Sequence, residues 1–163
     1  MTHEEQTDTQ TTTLRGSLRE RREQARSKLY LDRRVPRIDP PVFVRFKPLS
    51  SARLEGLTRQ AEKSKDPERY INGSAIAIAD ACVGIFEVID DEKVSIDPDG
   101  DRDDWPRFDS RLAELLGLAD LGKAAPIVRA LYLTDGDVTS EAAALTEWSG
   151  YAGQEADEEY AGN

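Results

Sequence analysis

The loop 97–104 holds the first residues whose types and spacing could do chemistry, because aspartates recur there at alternate positions. The four that resemble the first half of a calcium-binding loop are Asp97, Asp99, Asp101 and Asp103. Such a loop needs glycine at its sixth position and a bidentate glutamate at its twelfth. Arg102 and Phe108 occupy those two positions. The sequence therefore favours a solvated acidic loop over a cation site.

A second segment has nearly the spacing of a phosphate-binding loop. Gly117, Gly122 and Lys123 fit that pattern, but Ala124 stands where a serine or threonine should hold magnesium. The segment also follows an amphipathic pattern typical of a helix, whereas a phosphate-binding loop follows a buried strand. We therefore interpret it as a connection between two helices.

Nucleophilic and acid–base chemistry have few candidates in this sequence. His3 is the single histidine and lies in a Thr-rich, polar segment that predicts disorder. Cys82 is the single cysteine, lies at an apolar helical position, and can form no internal disulfide, which suits a reducing compartment. We predict no catalytic, cofactor-binding or metal-binding residues, and hence a protein that is not an enzyme.

Charge is distributed unevenly along the 163 residues, whose formal net charge is -10. Residues 1–13 carry a net charge of -3, residues 14–47 carry +7, and residues 48–163 carry -14. Such asymmetry is typical of an arm beside a body. We predict disorder over 1–13, a basic helical arm and Pro-rich linker over 14–41, a globular domain over 42–149, and a flexible acidic tail over 150–163.

The basic arm has a thin apolar stripe, with leucines or alanine at positions 14, 18, 25 and 29, and charged residues around it. A helix this polar gains little by packing on its own body, so it favours docking on a partner. We assign partner contacts to Arg19, Arg22 and Arg26. An acidic protein partner is preferred over nucleic acid, because the acidic body repels a polyanion and Tyr30 is the one aromatic residue of the arm.

The predicted body is mainly α with a small β element, an α+β fold. Strands are predicted at 42–46, 84–89 and 93–96, although residues 84–89 could instead continue a helix. Helices are predicted after Ser50 or Ser51, over 75–82, after Asp109 or Ser110 and closing at Gly117, around Pro126, and after Asp137 as N-cap.

The predicted last helix carries further candidate partner contacts. Leu145, Trp148 and Tyr151 are assigned to a partner surface, since aromatic residues dominate binding hot spots. Trp148 also completes an apolar stripe, so for this residue a core position is preferred over an interface position.

Two segments resemble the tail assembly chaperones of long-tailed (siphovirus-type) actinobacterial phages. One is residues 35–49, with the sequence VPRIDPPVFVRFKPL; the other comprises residues 125–138, APIVRALYLTDGDV, and 145–149, LTEWS. The likeness covers about residues 35–150, and the basic helix of the arm departs from it. The resemblance implies no catalytic residues in this sequence.

The resemblance implies a non-enzymatic assembly factor without a cofactor. Its expected partners are the tape-measure protein, the major tail (tube) protein, and further copies of itself, including a longer form made by frameshifting. It implies action in the host cytoplasm, absence from the mature virion, and no membrane association. The alternatives are a virion structural protein, such as a head-tail connector or tail terminator, and a nucleic-acid-binding regulator that uses the basic arm.

Overall fold

The computed structural model describes the backbone of residues 17–161 and the side chains of residues 17–150. The chain divides into two compact units, Met1–Tyr30 and Leu31–Asn163. The described part of the first unit is helix α1, residues 17–27. Its last turn ends with hydrogen bonds from the backbone N–H of Lys28 to the carbonyls of Gln24 and Ala25. The predicted disordered segment 1–13 lies outside the described residues.

The second unit is an α+β domain, as predicted. Four strands form an antiparallel sheet in the order β1-β2-β3-β4, with β1 at Leu31–Arg34, β2 at Phe43–Phe46, β3 at Cys82–Ile89 and β4 at Glu92–Ser95. The helices are α2 (Ser51–Lys63), α3 (Arg69–Ala81), α4 (Ser110–Leu115), α5 (Ala124–Leu131) and α6 (Asp135–Ala161). Helix α3 packs against α2, α5 and α6.

Strand β1 corrects the predicted boundary of the body. Residues 31–41 were assigned to the arm and linker, but Leu31–Arg34 pairs along its whole length with β2. The turn between the strands is closed by a 2.8 Å hydrogen bond from the N–H of Val35 to the carbonyl of Val42, and Val35 is fully buried. Three of the four residues of this strand are charged, so its composition does not indicate a strand. Pairing with β2, and not its own composition, stabilises it.

The predicted strand pair 84–89 and 93–96 is confirmed as the β3–β4 hairpin, and the helical alternative for residues 84–89 is wrong. Asp90 and Asp91 form its turn with φ of 52° and 64°. Aspartate tolerates this left-handed conformation better than most residues.

Two helix starts and one helix end follow the predicted local chemistry. The hydroxyl of Ser50 accepts a hydrogen bond from the N–H of Arg53 at the start of α2, and the carboxylate of Asp109 accepts from Arg111 and Leu112 at the start of α4. Gly117 ends α4 with φ of 72°, and the N–H of Leu118 donates to the carbonyl of Ala113. This is the hydrogen-bond pattern of a Schellman motif. The segment 117–123 then connects α4 to α5, as predicted.

Three boundaries differ from the prediction. Helix α3 begins at Arg69, not at residue 75. The cap of α6 is Thr134, whose hydroxyl accepts from the N–H of Asp137, while the Asp137 carboxylate binds Arg37 at 2.7 Å. The backbone of α6 continues to Ala161, past residue 150, where the acidic tail was predicted to begin. Residues 151–161 are rich in Ala and Glu, which favour helix.

The core lies between the sheet and the helices. From the sheet it takes Val44, Phe46 and Ile85, and from the helices it takes residues such as Ile78, Val128, Val138 and Leu145. Alternation along the strands leaves Phe43, Arg45 and Phe86 on the opposite face.

Helix α6 is joined by polar contacts to the first hairpin and to the segment that follows it. Arg33 donates to Glu141 at 2.5 Å, and the N–H of Leu49 donates to the hydroxyl of Ser149 at 3.0 Å. Burial raises the pKa of Glu141 above its ordinary value, and the guanidinium of Arg33 offsets only part of that effect. The hairpin and α6 are therefore fixed to each other although about 100 residues separate them.

Candidate functional site

A shallow groove of about 220 Å³ crosses the surface where α2, α3 and α6 meet. Its lining is largely apolar and contains several small side chains. The lining residues are Leu54, Leu57, Thr58, Ala61, Tyr70, Gly73, Ser74, Ala77, Ala142 and Thr146. A surface of this kind admits the side chains of another helix at close range.

Small residues on α2 and α3 create the groove. A Cβ at Gly73 would lie 3.9 Å from the Cβ of Ala61, so the two helices approach closely but leave room for an ordinary contact. Farther along α3, Ala77 is 6% exposed and forms part of the floor. Larger side chains at these positions would fill the groove with the protein's own atoms.

The two threonine hydroxyls that border the groove are satisfied within their own helices. Thr58 donates to the carbonyl of Leu54 at 3.0 Å, and Thr146 donates to the carbonyl of Ala142 at 2.8 Å. Such bonds leave methyl groups and backbone as the surface that a partner would meet. The groove is therefore chemically suited to apolar side chains.

Tyr70 stands at the mouth of the groove, and 59% of it is exposed. The guanidinium of Arg69 lies 4.7 Å from the centre of its ring. Tyrosine is enriched at protein interfaces because its ring is apolar and its hydroxyl forms hydrogen bonds. Tyr70 is therefore suited to contact a partner that enters the groove.

A second depression, of about 180 Å³, lies between α2 and α3 and shares Leu57, Ala61 and Gly73 with the first. Its rim is more polar and includes Asp66, whose carboxylate accepts a hydrogen bond from the N–H of Glu68 just before α3. The apolar groove therefore has one polar border near the start of α3.

The opposite face of the sheet carries a cluster of stacked rings and paired charges. The ring of Phe86 stacks on Phe43 at 5.3 Å and on Trp105 at 4.5 Å. The guanidinium of Arg45 lies 4.9 Å from the Trp105 ring and donates twice to Asp32, at 2.8 and 2.9 Å.

Lys93 also donates to Asp32, at 3.0 Å. Burial alone would raise the pKa of Asp32, but the hydrogen bonds from Arg45 and Lys93 outweigh it and hold the pKa below its ordinary value. With its charges paired and Phe86 only 1% exposed, this cluster fastens the loop containing Trp105 onto the sheet.

The aspartates of the loop 97–104 are organised around an arginine. Asp97 accepts from Arg111 at 2.8 Å, Asp104 accepts from the same guanidinium at 3.2 Å, and the pKa of Asp97 is lowered by that hydrogen bond. Among the described residues, no group of three or more His, Cys, Asp or Glu side chains could hold a metal ion. The loop is thus a salt-bridged turn.

Cys82 is buried at the start of β3, and burial raises the pKa of its thiol to about 12. The neighbouring core residue Tyr132 is also buried, and its pKa is raised for the same reason. A thiol with so high a pKa carries almost no thiolate at neutral pH, so Cys82 is a core residue and a poor nucleophile.

The predicted partner residues fall into different environments. Arg19, Arg22 and Arg26 are all exposed on α1. Leu145 is fully buried and packs in the core, which corrects its assignment to a partner surface. Trp148 is half-buried against the core, and the side chain of Tyr151 lies outside the described residues.

The sequence did not predict the groove, because its walls come from three helices that lie apart in the chain. A faint signal was present: Gly73 lies inside a helix, where glycine is unfavourable unless two backbones must approach closely.

No protein-family model, curated protein or solved structure matches this chain. In the part of the chain that the structure describes, no helix is long and apolar enough to cross a membrane.

Proposed function

We propose that this chain is a tail assembly chaperone of a long-tailed phage, a factor that works without catalysis. It holds helical segments of the tape-measure protein and recruits tail-tube subunits in the host cytoplasm, and then leaves the growing tail. The observation that carries the proposal is the largely apolar groove between α2, α3 and α6. The resemblance of residues 35–150 to tail assembly chaperones supplies the identity of the partner.

The shape of the groove supports helix binding in particular. Its floor is made of alanine and glycine positions, so an incoming helix can insert larger side chains as knobs between α2 and α6. Leu54 and Leu57 supply apolar contacts along one wall, and Tyr70 supplies an amphipathic anchor at the mouth.

The small size of the groove suits a reversible contact. A volume of about 220 Å³ takes only a few side chains of a long partner, so each copy contributes a limited buried area. A chaperone that must later release its client benefits from many weak contacts, each of which dissociates quickly.

Three threonines allow a matched test. Thr58 and Thr146 border the groove, whereas Thr139 lies on α6 outside it, and each donates its hydroxyl to the carbonyl four residues earlier. Substitution by arginine at the first two sites places a long charged side chain in the groove. Thr139→Arg makes the same chemical change on an exposed surface elsewhere.

The experiment is co-expression with the tape-measure protein of the same genome, with the soluble fraction and co-purification as readouts. We expect the wild type and Thr139→Arg to keep the tape-measure protein soluble, and Thr58→Arg and Thr146→Arg to lose this effect. No rescue by the wild type would refute the function. Equal rescue by all four chains would leave the function standing and refute the groove as its site.

Mass spectrometry of purified particles separates the proposal from its structural alternative. A chaperone is depleted from mature virions, whereas a head-tail connector or tail terminator is retained at stoichiometric amounts. Retention would therefore overturn the chaperone assignment.

A further inference from the structure

Every residue of helix α1 after Ser17 is exposed. Leu18 is 70% exposed, and the arginines of α1 are exposed as well. Residues 17–28 contain five basic and two acidic residues, a net charge of +3. An amphipathic helix with an uncovered apolar stripe and excess charge is suited to docking on a surface of opposite charge.

The charges of α1 are sorted by face. At 3.6 residues per turn, Leu18 and Ala25 share one side, and a row of arginines runs beside them at 19, 22 and 26. Arg21 flanks the stripe on its other side, while Glu20 and Glu23 fall on the far face. The apolar stripe is therefore bordered by positive charge on both sides.

The second unit offers a surface with the complementary features. Residues 88–104 contain eight acidic and two basic residues, a net charge of -6. The β3–β4 turn and the loop 97–104 form one acidic end, because Arg102 bridges to Glu92 at 3.4 Å. Beside this turn, Val88 is 47% exposed and Ile89 is 42% exposed, and the two side chains lie on opposite faces of the hairpin.

Several carboxylates of this acidic end remain available. Asp97 and Asp104 form salt bridges with Arg111, and Glu92 forms one with Arg102. Within the described residues, five other exposed carboxylates have no salt-bridge partner: Asp90, Asp91, Asp99, Asp101 and Asp103. The acidic end thus has both unpaired negative charges and exposed apolar side chains. Helix α1 has the matching combination of arginines and an exposed leucine.

We propose that α1 of one copy docks on the acidic end, residues 88–104, of a second copy. Leu18 and Ala25 meet Val88, and the arginine row meets the unpaired aspartates. The contact joins two different surfaces, so it builds head-to-tail oligomers that close into a ring or extend as a chain. The inference concerns this chain alone and does not depend on the proposed function.

The test is sedimentation of the full chain across a range of concentrations and ionic strengths. We expect self-association at about 50 mM salt that weakens steeply towards about 500 mM, because the Debye length falls below the spacing of surface charges. Reversal of the arginine row (Arg19→Glu, Arg22→Glu, Arg26→Glu) should weaken association by about tenfold or more. A chain that stays monomeric under all conditions overturns the proposal.

A charge swap distinguishes this contact from general charge effects. Asp99→Lys with Asp103→Lys should also weaken self-association, and a mixture with the arm-reversed chain should recover it. The control is Glu55→Lys with Glu62→Lys, which makes the same change in net charge on the exposed surface of α2. Equal recovery by the control variant would refute a specific contact.

Nucleic acid is the competing ligand for α1. Fluorescence anisotropy with a random-sequence 20-mer duplex, at the same salt concentrations, measures that binding directly. Tight duplex binding that requires the arginine row, in a chain without self-association, would overturn the proposal in favour of a nucleic-acid contact.

Discussion

Gly84 and Trp105 are in direct contact across the outer face of the sheet. A Cβ at Gly84 would lie 2.6 Å from the Cβ of Trp105 and 3.2 Å from its ring. The indole can therefore stack on Phe86 only because β3 has no side chain at residue 84. The absence of a Cβ at residue 84 therefore allows the loop containing Trp105 to pack against the sheet.

Gly84→Ala should therefore displace Trp105 and destabilise the fold. We expect a loss of about 1–3 kcal/mol in the free energy of unfolding, the usual cost of overpacking. In a Trp148→Phe background the emission of Trp105 should shift to longer wavelength, because the ring becomes more exposed. The matched control is Gly56→Ala, at a site in α2 with no atom within 4 Å, which should stabilise by about 0.5–1 kcal/mol. Unchanged emission and stability in Gly84→Ala would contradict the contact.

Asp32→Asn should destabilise the protein in a manner that depends on pH. The pKa of Asp32 is lowered in the folded state, so its carboxylate stabilises the fold above its unfolded pKa, and this contribution is lost as the pH falls through the folded value. At pH 7 we expect a cost of about 1 kcal/mol, modest because solvent still reaches the pair. Chemical denaturation between pH 2 and 7 measures the difference, which should vanish at the acid end. A cost independent of pH would contradict this account.

Glu141→Gln should have the opposite pH dependence. Burial raises the pKa of Glu141, so the folded state binds its proton more tightly than the unfolded state does, and this contribution is lost as the pH rises through the folded pKa. Glutamine keeps an oxygen for Arg33 but carries no charge. The stability of Glu141→Gln relative to wild type should increase from pH 4 to pH 7 in denaturant titrations. A relative stability that falls over this range would mean that the ion pair with Arg33 outweighs the cost of burial.

Leu145→Ala tests the corrected role of that residue. Leu145 is fully buried, so truncation should leave a cavity and cost about 2–5 kcal/mol. Leu115→Ala, at a site that is 39% exposed, should cost much less. Thermal unfolding of both variants gives the comparison. A near-neutral Leu145→Ala would contradict its place in the core.

Part of the candidate sites could be predicted from the sequence. The row Arg19, Arg22 and Arg26 follows from helical spacing alone, since neighbours on one helix face need no tertiary information. The groove could not be predicted in this way. Gly73 on α3, Ala61 on α2 and Ala142 on α6 meet only after the three helices have packed.

The sequence by itself determined the elements whose signals are local. Ser50 and Asp109 begin helices because a side-chain oxygen satisfies an N–H three residues away or fewer, and Gly117 ends α4 because glycine accepts a positive φ. Each of these interactions spans less than two helical turns, so a short stretch of residues specifies it.

Only the tertiary structure decided the place of β1. Asp32 and Arg33 do not look like strand residues, yet one pairs with Arg45 of β2 and the other with Glu141 of α6. Such pairs form only when distant parts of the chain have already come together, and their free energy depends on burial that no local pattern records. The first strand therefore belongs to the body, although its composition resembles that of the arm.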